Sequence, residues 1–162
     1  MACSTIHKRQ GFTLIELLVT LVLLALIVTS AAPVVQLTIK RAKEQELKRA
    51  LWQIRDAIDA YKQAVDDGLI KKSPEKSGYP PSLEALVQGI EVFKNGKKRQ
   101  VHFLRRIPRD PFANDPQASP SATWGKRSYT STHDEPKEGE DVYDVYSLSQ
   151  DIGLDKQPYK AW

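Results

Sequence analysis

Gly11-Phe12-Thr13-Leu14-Ile15-Glu16-Leu17-Leu18-Val19 opens an apolar run that continues through Ile27-Val28. From Phe12 to Ile39 the one charged residue is Glu16. A helix of ~20 such residues, rising 1.5 Å each, is long enough to cross a bilayer. The eleven residues before it are polar and end in His7-Lys8-Arg9-Gln10-Gly11. An ordinary secretory signal peptide has the same outline, and Ser30-Ala31-Ala32 offers small residues for its cleavage. That reading leaves Glu16 unexplained. A carboxylate inside an apolar span costs ~2.5–3.5 kcal/mol on insertion scales, so it marks a function. Glu16 lies four residues beyond Phe12, on the same face of a helix. A cut after Gly11 gives Phe12 a new α-amino group, which Glu16 can neutralise in its own chain or in a neighbour.

Outside this run the chain is an ordinary globular one. Its 162 residues hold one domain and little more, and 41 % hydrophobic content is enough for a core. A mean hydropathy of −0.44 excludes a polytopic membrane protein. The single cysteine, Cys3, excludes an intrachain disulfide and a cysteine-rich zinc framework, and a cut after Gly11 would remove it. The net charge of +4 is too mild to name a polyanionic partner. It is unevenly spread: residues 40–109 carry 17 basic and 9 acidic side chains, and residues 110–162 carry 5 and 10. A greasy segment is thus followed by a basic middle and an acidic C-terminal third.

Leu47, Leu51, Ile54, Ile58, Tyr61 and Val65 recur at helical spacing, with charged residues on the other faces. One near-continuous helix over residues 12–67 is predicted, bent or locally melted at Pro33, with Gly68 as its C′ residue. The upper stripe is expected to pack against a head. Pro80-Pro81-Ser82-Leu83-Glu84 reads as a turn, a Ser82 N-cap and a short helix. Asn95-Gly96 signals a hairpin between strands at 90–94 and 97–103. A proline-marked loop leads to Trp124, and 142–146 alternates as a strand, with Tyr143 and Val145 on one face and Val142, Asp144 and Tyr146 on the other. A long helix followed by strands makes the fold class α+β.

Gly11-Phe12-Thr13-Leu14-Ile15-Glu16 after a short basic leader resembles the cleavage motif of type IV pilins and type II secretion pseudopilins. The head adds Tyr79-Pro80-Pro81-Ser82-Leu83-Glu84-Ala85-Leu86, Ile107-Pro108-Arg109-Asp110-Pro111-Phe112, Tyr143-Asp144-Val145-Tyr146-Ser147-Leu148 and a closing Trp162. In that order these are similar to the major pseudopilin of type II secretion. The resemblance implies a type IV pilin-like fold: a leader at 1–11, a transmembrane and filament-core helix at 12–35, and a periplasmic head at 36–162 that includes the amphipathic half of the helix. It implies cleavage by prepilin peptidase between Gly11 and Phe12, N-methylation of Phe12, and a role for Glu16 in assembly. The expected product is a structural subunit of an inner-membrane-anchored pseudopilus. Its partners would be copies of itself, other pseudopilins, inner-membrane assembly proteins and the lipid bilayer. A minor type IV pilin of a surface or DNA-uptake filament is the alternative. The resemblance also implies a calcium ion in the loop after the last strand. Asp151 matches the first family aspartate, and Asp155 matches the second only across a deletion. Calcium takes roughly six to eight oxygens, and loop-capping carboxylates are the competing reading for both residues. No cofactor is otherwise required.

Other classes of function fare poorly. His7, His102 and His133 are scattered, and no nucleophile elbow, zinc-protease helix or phosphate-binding glycine loop is present, so an enzyme is not expected. Lys94, Lys97, Lys98, Arg99, Arg105, Arg106 and Arg109, with Phe103 among them, form a basic cluster of the kind that binds nucleic acid. Asp134, Glu135, Glu138, Glu140 and Asp141 offer every copy an acidic counterpart, which favours head-to-neighbour pairing over DNA. Lys40, Arg41 and Lys43 flank the span on its expected periplasmic side, against the positive-inside rule. The cleavage motif decides orientation, because the peptidase acts on the cytoplasmic face.

Overall fold

The computed structural model describes residues 12–71, 76–94 and 97–162, without the side chains of 30–33, 93–94 and 97. The leader and the Asn95-Gly96 turn therefore lie outside the described residues. The chain divides into two compact units, Met1–Lys40 and Arg41–Trp162. Helix α1, Leu14–Asp66, belongs to both, and its backbone stays helical through Pro33, so no local melting occurs there. In the first unit the side chains of 12–29 all face outward.

The second unit is built on the apolar stripe of α1. Leu47, Leu51, Ile54, Ile58, Tyr61 and Val65 are all buried, as their spacing predicts. Ala50, Ala57 and Ala64 join them at intervals of seven, small residues beside the stripe that let the rest of the head approach the helix. Each fully buried Leu or Ile contributes about 1.5–3 kcal/mol. An exposed pair such as Lys98–Glu91 contributes ~0–1 kcal/mol. Burial of the stripe, not surface charge, thus holds the head on its helix. The helix ends at Gly68, whose φ is +71°. Its N–H bonds the Val65 carbonyl and the Leu69 N–H bonds that of Ala64, the two bonds of a Schellman cap.

Helix α2, Leu83–Gln88, starts where Ser82 accepts a hydrogen bond from the Ala85 N–H. It contributes Leu83 and Leu86 to the core. Strands β1, Ile90–Lys94, and β2, Lys97–Val101, form an antiparallel pair with Ile90 opposite Val101. The second strand stops short of the expected residue 103. The Phe103 and Leu104 N–H groups both donate to the Leu86 carbonyl instead, drawing the chain back to the end of α2.

Strands β3, Trp124–Arg127, and β4, Asp144–Ser147, form a separate antiparallel pair. The head therefore carries two small sheets. The predicted alternation over 142–146 fails at its first residue: Val142 and Val145 are both buried, although three residues apart. Val142 precedes the strand, and its N–H bonds the Pro80 carbonyl. Trp-Gly-Lys-Arg carries no strand signal in the sequence. Gly125 is required there because Tyr146 lies opposite it, and a Cβ at Gly125 would stand 2.3 Å from that ring.

Candidate assembly site

The apolar half of α1 opens on Thr13. Its Oγ1 accepts the Glu16 N–H at 3.3 Å and its carbonyl accepts the Leu17 N–H. Thr13 is thus the N-cap and Glu16 the third helical residue, a Thr-x-x-Glu pattern at a helix start. Its side chain sits in the first turn, where the helix dipole favours negative charge. The Thr13-x-x-Glu16 pattern is present in the sequence and adds a helix-start role to the pairing of Glu16 with the Phe12 amine. Phe12 is 78 % exposed, and Glu16 is exposed as well.

Three threonine hydroxyls along this part of the helix satisfy themselves. Thr20 donates to the Leu17 carbonyl, Thr29 to that of Ala25 at 2.7 Å, and Thr38 to that of Val34. Such back-bonding lets a hydroxyl enter lipid at little cost. The charge of Glu16 has no such local remedy. By length and composition this helix can cross a membrane, and none of its most apolar window is buried within the chain.

In the head, the family-like segment 107–112 is a structural hub. Asp110 is 2 % exposed, and its carboxylate accepts the Ser147 hydroxyl at 2.6 Å and the Phe112 N–H at 2.8 Å. The Pro108 carbonyl accepts the Trp124 indole N–H. Arg55 on α1 donates to Asp144 at 2.8 Å and to the carbonyls of Val145 and Trp162, and Arg127 shares the same aspartate. These ties join α1 to β4 and the C-terminal segment. No spacing rule in the sequence announces them.

The basic cluster is smaller than it looked. Arg109 turns inward to the carbonyls of Ala118 and Asp115. Phe103 is half-buried and packs edge-on against Tyr61 at 5.5 Å, which engages its ring within the head. Lys98 pairs with Glu91, whereas Arg99, Arg105 and Arg106 are exposed. Lys94 and Lys97 lie outside the described side chains. The acidic run is reduced too: Glu135 pairs with Lys137 and Glu138 with Lys126.

Asp141 has an internal task. It accepts hydrogen bonds from Ser77, from Ser128 at 2.7 Å and from the Tyr129 N–H at 2.9 Å. Burial pushes its carboxyl up, but these donors outweigh burial and hold it below the ordinary aspartate value of 3.8. A lowered folded-state value means that the unfolded chain binds the proton first as pH falls. The stabilisation is complete above the ordinary value and disappears as pH falls through the folded one. Asp141→Asn is therefore expected to cost about 1–2 kcal/mol at neutral pH and to flatten the loss of stability below about pH 4. Urea melts across that range check this; parallel acid limbs in the two proteins would contradict it.

In the last loop, Asp155 accepts the Gln157 N–H at 3.0 Å, as a loop-capping carboxylate does. The Asp151 carbonyl accepts the Tyr159 N–H. Among the described residues, no three His, Cys, Asp or Glu side chains gather where they would hold a metal ion.

Comparison with known proteins bears on the whole chain. Residues 6–32 match the prokaryotic N-terminal methylation motif. The type II secretion system core protein G of Pseudomonas aeruginosa is 31 % identical, over 82 % of this chain and 89 % of its own length. The chain belongs to the type II secretion core protein G family. Core protein G of Vibrio cholerae is 28 % identical over 68 % of this chain and 70 % of its own, and that of Aeromonas hydrophila 24 % over 74 % and 79 %. No solved structure matches the chain significantly. Membership in the core protein G family accords with the α+β architecture: one long N-terminal helix and small antiparallel sheets.

Proposed function

We propose that this chain is a structural subunit of the periplasmic pseudopilus in type II protein secretion. Prepilin peptidase cuts between Gly11 and Phe12, Phe12 is N-methylated, and the trimmed subunit polymerises through residues 12–35. The observation that carries the reading is an exposed apolar helix whose one charge, Glu16, lies four residues from the new N-terminus. Such a helix leaves lipid only if neighbouring copies cover it, so polymerisation is the work the segment is built for. The methylation motif over 6–32 supports the processing step, and core protein G membership supports the system.

The subunit is anchored in the inner membrane by this helix, with its head in the periplasm. Its partners are copies of itself, the peptidase, other pseudopilins and the inner-membrane assembly proteins. The role is structural, with no catalytic step. The minor-pilin alternative drew on the basic cluster, and the inward turn of Arg109 and the packing of Phe103 weaken it. Deletion of the gene is expected to leave the secreted proteins trapped in the periplasm, with the unaltered gene restoring their release. Normal release in the deletion strain, measured by exoprotein activity in the medium, would remove the chain from the pathway.

A further inference from the structure

The loop after β4 is where the family resemblance expects a calcium ion, and several of its oxygens already accept hydrogen bonds within the chain. The carbonyls of Asp151, Gly153 and Gln157 accept the N–H groups of Tyr159, Lys156 and Gly153. One Asp155 oxygen accepts the Gln157 N–H. Lys156 brings a cation into the same turn, at φ +67°. The donor set does not fit roughly six to eight free oxygens around a divalent ion.

Something else holds the loop. Glu44, on the first turns of α1 in the head, is 9 % exposed, and its Oε1 accepts the Leu154 N–H at 2.8 Å and the Tyr159 hydroxyl at 2.9 Å. One oxygen thus grips the loop at its tip and at its exit, more than 100 residues along the chain. Tyr159 is fully buried, stacks on Phe112 at 4.2 Å and meets Trp162 edge-on at 5.0 Å. Burial, and then the hydrogen bond to Glu44, push its phenol well above the ordinary tyrosine value, so it remains a donor at every physiological pH.

We propose that the Glu44 carboxylate closes the loop at 148–157 in place of a metal ion, so that the head of this chain folds without calcium. A carboxylate fixed to the helix presents negative charge to the N–H and O–H donors of the loop. A calcium site needs the opposite, a loop that turns its oxygens toward one point. The two solutions exclude each other locally, because the Leu154 N–H that Glu44 takes faces the helix. The proposal concerns the head alone and stands whether or not the filament role does.

The test uses the full chain in detergent, with calcium chloride as the metal probe. Hydrogen exchange of peptides covering 151–159 and the melting temperature are measured in excess calcium and in excess EGTA. The unaltered protein is expected to give the same protection and the same Tm in both. Glu44→Ala leaves two donors without an acceptor and is expected to lower Tm by roughly 5–10 °C and to speed exchange across 151–159. Tyr159→Phe keeps the ring and removes one donor, so it gives a smaller effect of the same kind if the alanine variant does not fold. A calcium-dependent rise in Tm that Asp151→Asn abolishes would overturn the proposal. So would unchanged exchange at 151–159 in both Glu44→Ala and Tyr159→Phe.

Discussion

Gly11→Leu is expected to leave the full 162-residue chain uncut in the membrane, with no methylated Phe12 and no filament. The cleavage assignment requires a peptidase pocket that fits a small residue before the scissile bond. A pocket wall can discriminate roughly 10–200-fold per added methylene, so the processed fraction should fall at least about 100-fold. The uncut chain also keeps His7, Lys8 and Arg9 ahead of the span, and the Phe12 α-amino group never forms. Glu16 then lacks the Phe12 amine as its partner. Intact-mass measurement of the membrane fraction checks this. A methylated chain beginning at Phe12 in the mutant would remove the cleavage assignment.

Glu16→Val separates two tasks open to one carboxylate. If Glu16 serves its own Phe12 amine and its own helix start, the valine chain loses a cap and a self-contact. It should still polymerise, because the greasy seam survives. If Glu16 pairs with the amine of a neighbouring copy, the contact fixes the axial stagger of one helix against the next. A seam of Leu, Ile and Val has no preferred stagger of its own. On the pairing reading the insertion cost of ~2.5–3.5 kcal/mol, borne by every copy, is offset in lipid by an assembled partner. The pairing reading therefore predicts normal cutting and normal insertion, with pelletable filament down at least about tenfold. Equal filament from mutant and unaltered chains, each overproduced alone, would leave Glu16 as a helix cap.

Both predictions rest on residues legible in the sequence, and the reason is physical. A charge in an apolar span is rare because it is costly, so Glu16 stands out with no structure to hand. The six stripe residues of α1 were equally plain, since helical period and burial are linked through one geometry. Gly68 and Ser82 were readable for the same reason: a cap is a local chemical requirement. Strand β3 was not readable. Trp124-Gly125-Lys126-Arg127 has no alternation, and its glycine answers to Tyr146, which lies 21 residues later. Val142 was misplaced because its hydrogen bond goes to Pro80, a tertiary choice no local pattern records. Glu44 was the largest omission. It reads as one more helix-surface charge, and only the folded chain brings Leu154 and Tyr159 to it. The aspartates of the last loop stand out in the sequence only through the family resemblance, and Asp155 caps its own turn.

The most direct test is intact-mass spectrometry of the unaltered chain, overproduced and collected from the pelleted filament fraction. The account predicts a subunit in that fraction that begins at Phe12, carries one added methyl group and has lost residues 1–11. A chain that begins after Ala32 and stays in the soluble periplasm, with none in the pellet, would contradict it.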